Sequence, residues 1–264
     1  GVVVGTAGPA CAEAVAVRGG GAAAVGRLDG AAAADTVDAS GRVVAPGFVD
    51  MMGQASHPLA FHPPSAESKL RQGITTQLSG EGWSPAPLDD RTAREFEEGL
   101  DREVTWRTYG EYLSVLEEAG VALNVVHTVG AAQVRRAVVG EEDVEPTAEQ
   151  MDRMQALVEG AMRDGAAGLS TALIYPPGSY ATTGELVQLA RAAGRHGGTY
   201  FTHMRNESHR VVEAVEEAIE IGREAGVPVH IFHLKAAGEA NWPLMEEALD
   251  RIRRARADGL EVTA

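Results

Sequence analysis

Tyr200-Phe-Thr-His203-Met-Arg205 and, thirty residues later, Val229-His230-Ile-Phe-His233-Leu-Lys235 are two short β-type runs that each end in polar residues. Helical stretches separate and follow them, and thirty residues is about the length of one βα repeat. Equivalent positions on neighbouring parallel strands lie side by side, so His203 and His233 are placed to converge on one ion at the mouth of a barrel. Strict alternation along the second run sets Val229, Ile231, His233 and Lys235 on one face, taken as inward. The same alternation sets His230, Phe232 and Leu234 on the other, so His230 is expected among the surrounding helices.

Outward from this pair the same punctuation recurs. Strands are expected at 43–51, 74–79, 123–129, 168–173, 199–204, 227–235 and 260–264. Between them, 149–163 carries Met151, Met154, Leu157, Val158 and Ala161 on one face, with Thr147 and Gln150 spaced as a capping box. Residues 207–225 repeat the pattern before Gly226 and Pro228, and Trp242, Met245, Leu249 and Ile252 mark a further helix. The fold class is therefore α/β: an incomplete (β/α)8 TIM-type barrel over 46–264, with seven strands present and the eighth expected beyond Ala264. Residues 1–45, with Val2-Val-Val4 and Ala14-Val-Ala-Val17 between Gly-rich turns, suggest a small N-terminal β domain. A first residue Gly1 and a last segment that reads as a strand suggest a fragment.

A net charge of -15 among 264 residues argues against nucleic acid or an anionic membrane as partner, and favours a small molecule. Cys11 is the single cysteine, and neither a signal segment nor an apolar run of spanning length is present, so a cytoplasmic protein is expected.

Reactive residues of such barrels sit at the C-terminal strand ends. After the second strand, Ser79-Gly-Glu81-Gly-Trp-Ser84 holds Glu81 between two glycines. Glu81, His203 and His233 make a His2Glu set, which suits a catalytic zinc ion with one position open for water. Bound zinc lowers the pKa of water and polarises a carbonyl, and hydrolysis still needs a general base. Lys235 and Arg205 are candidates for an anionic substrate group or the developing oxyanion, with structural ion pairs as the alternative; Lys235 is favoured because it points inward. His127 either enters the mouth or belongs to the core, and Asp50 caps a turn. His57, His62, His196 and His209 receive no role.

Five ordered motifs, Val43-Val-Ala-Pro-Gly-Phe-Val-Asp50, Gly73-Ile-Thr-Thr76, Gly168-Leu-Ser-Thr171 with Leu173-Ile-Tyr-Pro-Pro-Gly178, Thr202-His-Met-Arg205 and His230-Ile-Phe-His-Leu-Lys-Ala-Ala-Gly238, resemble D-aminoacylases, or N-acyl-D-amino-acid deacylases, of the amidohydrolase superfamily. The resemblance runs over the chain, including the opening Gly1-Val-Val-Val-Gly-Thr-Ala-Gly-Pro9. It implies zinc-dependent hydrolysis of the amide of N-acyl-D-amino acids. It sets His203 and His233 on the family's zinc-binding histidines, Glu81 where many members carry a metal-binding cysteine, and Tyr175 and Lys235 beside the substrate. Met51-Met-Gly-Gln-Ala-Ser56 stands where the superfamily usually has His-x-His, which implies one zinc ion and opens the alternative of another carbon-nitrogen bond, such as a dipeptide or cyclic amide. The family's catalytic aspartate, the general base, is expected beyond Ala264. A non-catalytic barrel scaffold is the remaining alternative, against which the joint presence of Glu81, His203 and His233 speaks.

Overall fold

The structure, a computed structural model, describes residues 14–54 and 56–264. The Val2-Val-Val4 run, Cys11, the opening motif over residues 1–9 and Ala55 lie outside the described residues. The chain divides into two compact units, Gly1–Phe48 and Val49–Ala264. In the first, β1 (Ala14–Arg18) and β2 (Gly21–Gly26) pair antiparallel. Gly19 and Gly20 both have positive φ, at 58° and 79°, as a tight hairpin turn demands.

In the second unit, β3 (Phe48–Asp50), β4 (Ile74–Ser79) and β5 (Asn124–His127) form one sheet in that order. A second sheet holds β6 (Val129–Gly130), β7 (Gly168–Ala172), β8 (Thr199–His203), β9 (Val229–Ile231) and β10 (Val262–Thr263), again in chain order. The pairs from β4 to β5 and from β6 through β10 are parallel. β5 and β6 are one strand interrupted at Thr128, whose N–H donates to the Ser79 carbonyl at 2.9 Å. Seven consecutive barrel positions are therefore present among the described residues, in the expected order. Strands one and six are shorter than 43–51 and 227–235.

The helices are α1 (His57–Phe61), α2 (Glu67–Arg71), α3 (Asp90–Leu100), α4 (Tyr109–Ala119), α5 (Ala131–Val138), α6 (Ala148–Arg163), α7 (Thr183–Gly194), α8 (Val211–Ala225) and α9 (Leu244–Ala257). The capping box of Thr147 and Gln150 forms at the start of α6, and Gly226 ends α8 in the left-handed conformation. Helix α8 begins four residues later than expected. Asn206 Oδ1 accepts from the backbone N–H groups of Ser208 (2.9 Å) and Arg210 (3.0 Å), a local turn that competes with the helix.

The main core lies between the sheet and its helices, where Leu169, Tyr200, Val229 and Ile231 meet Leu186, Leu189, Val215 and Ile221. Burial of each such aliphatic side chain stabilises the fold by about 2 kcal/mol. Leu78, Phe201 and Phe232 form a separate inner cluster. This corrects the facing expected for β9. A Cβ built on Gly222 of α8 would lie 2.2 Å from Val229 Cγ2, so Val229 looks outward onto that helix. His230 looks inward, its ring 5.8 Å from Phe201 and 5.5 Å from Phe232. A shift of one residue exchanges the faces of a strand, and two apolar residues suit either face. The parity does not extend to His233, because β9 stops at Ile231 and His233 turns back to the mouth at φ 38°.

Candidate metal centre

Glu81 owes its position to its neighbours. Gly80 and Gly82 adopt φ of 103° and 75°, backbone that favours glycine. A Cβ at Gly82 would lie 2.5 Å from the Ala172 backbone nitrogen, so the loop lies pressed against the end of β7. Gly82 donates its N–H to Ser170 Oγ (3.0 Å) and accepts from the Ala132 N–H (3.0 Å). Ala172 is in register with His203 on β8. The loop thus delivers Glu81 to the strand end that carries the first histidine.

Glu81 Oε1 lies 2.7 Å from His203 Nδ1 and 3.0 Å from His233 Nε2, and the two ring nitrogens are 3.1 Å apart. The three sequence-singled residues are brought together, with His203 buried and Glu81 and His233 half-buried. Desolvation raises the Glu81 pKa, but hydrogen bonds with His203, His233 and Gln54 outweigh it and hold the carboxyl at about 2, ionised at neutral pH.

Behind the rings stands Glu207. Its Oε1 is 2.9 Å from His233 Nδ1, and its Oε2 is 3.6 Å from His203 Nε2, a buried atom with no hydrogen-bond partner. Lys235 Nζ also approaches His233 Nδ1 at 3.0 Å, but it lies 2.6 Å from Glu207 Oε1. The ammonium thus donates to the carboxylate and stands within reach of the imidazole nitrogen as well, with Glu207 Oε1 beside the same nitrogen. With Glu207 on their far sides, His203 Nδ1 and His233 Nε2 are the ring nitrogens turned towards Glu81. Three electron-rich atoms so close repel one another unless positive charge lies among them, supplied by a proton on an imidazole or by a metal cation. One carboxylate and two imidazoles are a donor set that zinc accepts.

Tyr175 stands with its ring 5.5 Å from that of His203, half exposed. Arg205 makes an ion pair and two carbonyl contacts. It donates from Nε to Glu217 Oε2 (2.9 Å), from Nη1 to the Ser179 carbonyl (2.9 Å) and from Nη2 to Glu217 Oε1 and the Ala181 carbonyl (both 2.9 Å). Its guanidinium ties the loop after β7 to α8 and is not turned to the three ligand atoms. Asp50 accepts from the Met52 N–H at 3.1 Å and pairs with Lys69, in agreement with a turn cap.

His127 is a buried histidine beneath a cleft of ≈ 570 Å³ whose walls include Glu81, His57, Trp83, Phe96 and Tyr175. The Tyr109 hydroxyl donates to the Thr128 carbonyl, so its oxygen accepts from His127 Nδ1 (2.8 Å). His127 Nε2 then accepts from Ser56 Oγ (2.9 Å), which accepts in turn from the Tyr112 hydroxyl (2.5 Å). Desolvation, with a smaller push from His57, lowers the His127 pKa from 6.5 to about 4. The folded protein keeps His127 neutral where the unfolded chain takes up a proton, so its contribution is complete above pH 6.5 and is lost as pH falls towards 4. The expected loss is roughly 3 kcal/mol. Denaturant unfolding at pH 7 and pH 4.5 measures it, and His127→Gln should flatten that part of the profile; equal slopes for both proteins would contradict the assignment.

Glu207, Gln54 and the Ser56 to Tyr109 chain went unread in the sequence. Glu207 falls where periodicity places the start of a helix; the one available signal was its spacing of four residues from His203, which only the Asn206 turn converts into contact.

No protein-family model matches the chain. The D-aminoacylase of Alcaligenes xylosoxydans xylosoxydans is 39% identical over 244 residues, covering 91% of this chain and 50% of the relative. A D-aminoacylase structure described by the role of its binuclear metal center superposes with a TM-score of 0.88 at 37% identity, over 99% of this chain and 55% of the other. The N-acyl-D-glutamate deacylase of Bordetella bronchiseptica, solved with zinc and a phosphonate that mimics the tetrahedral intermediate, gives a TM-score of 0.88 at 34% identity, over 99% and 55%. The chain thus spans about half the length of the relatives it matches. Motif order, mostly parallel sheets with their strands in chain order and this similarity across nearly the whole chain agree: it belongs to the D-aminoacylase, or N-acyl-D-amino-acid deacylase, family of the amidohydrolase superfamily.

Proposed function

We propose that the protein is a zinc-dependent hydrolase that cleaves the amide of an N-acyl-D-amino acid, with Glu81, His203 and His233 holding one zinc ion. The observation that carries this reading is the convergence of Glu81 Oε1, His203 Nδ1 and His233 Nε2 within 2.7 to 3.1 Å of one another. When bound, zinc supplies polarisation of the amide carbonyl and acidification of water. Glu207 stands beside the far nitrogens of both rings, 2.9 Å from His233 Nδ1 and 3.6 Å from His203 Nε2. Lys235, half exposed and paired with Glu207, is the cation for the substrate carboxylate. Tyr175 borders the reacting centre from the β7 loop. The proton acceptor is assigned to an aspartate at the end of the eighth strand, outside this chain.

The same reading divides the chain into a small β domain at residues 1–45 and a barrel at 46–264. The substrate is a small molecule. The acidic balance argues against nucleic-acid and anionic-membrane partners, a cytoplasmic enzyme is the reading kept, and among the described residues no helix is long and apolar enough to cross a membrane. A second reading keeps the metal and changes the bond to that of a dipeptide or cyclic amide. It is favoured by Gln54, which contacts Glu81 where the superfamily usually has a histidine pair.

Zinc-loaded full-length protein incubated with N-acetyl-D- and N-acetyl-L-amino acids tests the proposal. Release of free D-amino acid is the expected result. Turnover of dipeptides or cyclic amides alone would select the second reading, and no turnover of any of these would contradict both.

A further inference from the structure

Among the described residues three non-glycine residues have positive φ: Asp101, which caps the end of α3, His233, and Gln54 at 61°. The left-handed conformation costs a non-glycine residue about 1 kcal/mol or more, and such strain gathers where a side chain must be aimed. His233 and Gln54 both aim at Glu81. Backbone bonds hold the segment that carries Gln54: Gly53 donates to the Leu78 carbonyl at 2.7 Å, and Gly80 donates to the Gln54 carbonyl at 2.9 Å. From this anchored turn Gln54 Nε2 donates to Glu81 Oε2 at 2.8 Å.

The two oxygens of Glu81 thereby have separate partners. Oε1 meets both histidines, and Oε2 belongs to an amide that offers a proton and no negative charge. A carboxylate with both oxygens turned to the metal can chelate one ion or bridge two; an N–H on Oε2 turns that oxygen to its donor and leaves Oε1 as the one presented to both histidines. We propose that Gln54 is a positioning residue that fixes Glu81 as a one-oxygen ligand and so limits the centre to one ion. This inference rests on the metal reading of Glu81, His203 and His233.

The test titrates metal-free full-length protein with zinc against a competing chelator, and with cobalt(II) alone while its visible absorption is recorded. Wild type is compared with Gln54→Met, which keeps the length and removes the donor. Wild type should saturate at one ion per chain. Gln54→Met, with the circular dichroism and thermal midpoint of its metal-free form unchanged, should bind zinc about 10- to 100-fold more weakly and show an altered cobalt spectrum as Glu81 rotates. Equal affinity and identical cobalt spectra would overturn the role of Gln54 while leaving the metal reading intact. Two tightly held ions in wild type would overturn the one-ion limit. Failure of the wild type to bind any ion would overturn the metal reading and this inference together. A Gln54→Met protein that fails to fold hands the decision to Gln54→Glu, where a second carboxylate against Oε2 should likewise alter the cobalt spectrum, and an unaltered spectrum would overturn the proposal.

Discussion

His203→Ala is expected to lower zinc affinity by more than about 100-fold and to remove hydrolytic activity with it. Loss of a hydrogen-bond partner behind a ligand costs roughly 10- to 100-fold, and loss of the ligand itself costs more. His203 ends β8 in register with Ala172, Glu81, His203 and His233 are the group of potential ligands that converges among the described residues, and His230 faces Phe201 and Phe232 below the mouth. The substitution also withdraws one of the hydrogen bonds that hold the Glu81 carboxyl at about 2, so that pKa should rise. Equilibrium dialysis of the folded variant, followed by elemental analysis, measures the effect. Retention of zinc at wild-type affinity would exclude His203 as a ligand.

Gly82→Ala is expected to destabilise the protein by about 3 kcal/mol, the sum of left-handed strain and a clash with rigid backbone. Its new Cβ would lie 2.5 Å from the nitrogen and 2.9 Å from the Cβ of Ala172, on a strand paired to both neighbours. The loop must move, and Glu81 moves with it, so zinc affinity should fall alongside stability. Gly165→Ala is the control: its φ of 113° is also positive, yet the nearest atom is Leu113 Cδ1 at 3.7 Å. It should lose only about 1 kcal/mol, from strain alone, and leave zinc binding unchanged. Denaturant unfolding of both metal-free variants separates them, and equal losses would mean that the approach of Gly82 to β7 is not tight.

Much of the barrel was legible because periodicity and punctuation coincide. Thr147 and Gln150 mark the start of α6, Gly226 marks the end of α8, and β4 occupies the expected 74–79. Glu81, His203 and His233 could be picked out because each stands at a strand end where such folds keep polar side chains. Facing in β9 was not legible: Val229 and Ile231 fit the outer core as well as the inner one, and the turn at His233 lies in a φ value that no pattern of residue types announces. The ion pair of Arg205, the alternative for such a residue, could not be given its partner for a related reason. A basic residue after a ligand suggests an anion, whereas its actual partners, Glu217 and the carbonyls of Ser179 and Ala181, lie far along the chain. Glu207, Gln54 and Ser56 act through contacts that fold geometry alone creates.

The central claim is that Glu81, His203 and His233 form a metal centre, and bound zinc per chain tests it most directly. Full-length protein purified without chelators is to be analysed for metal beside His233→Ala. About one zinc per chain in wild type, absent from the folded variant, is the predicted result. Folded wild-type protein that holds no zinc, even after exposure to the free ion, would contradict it.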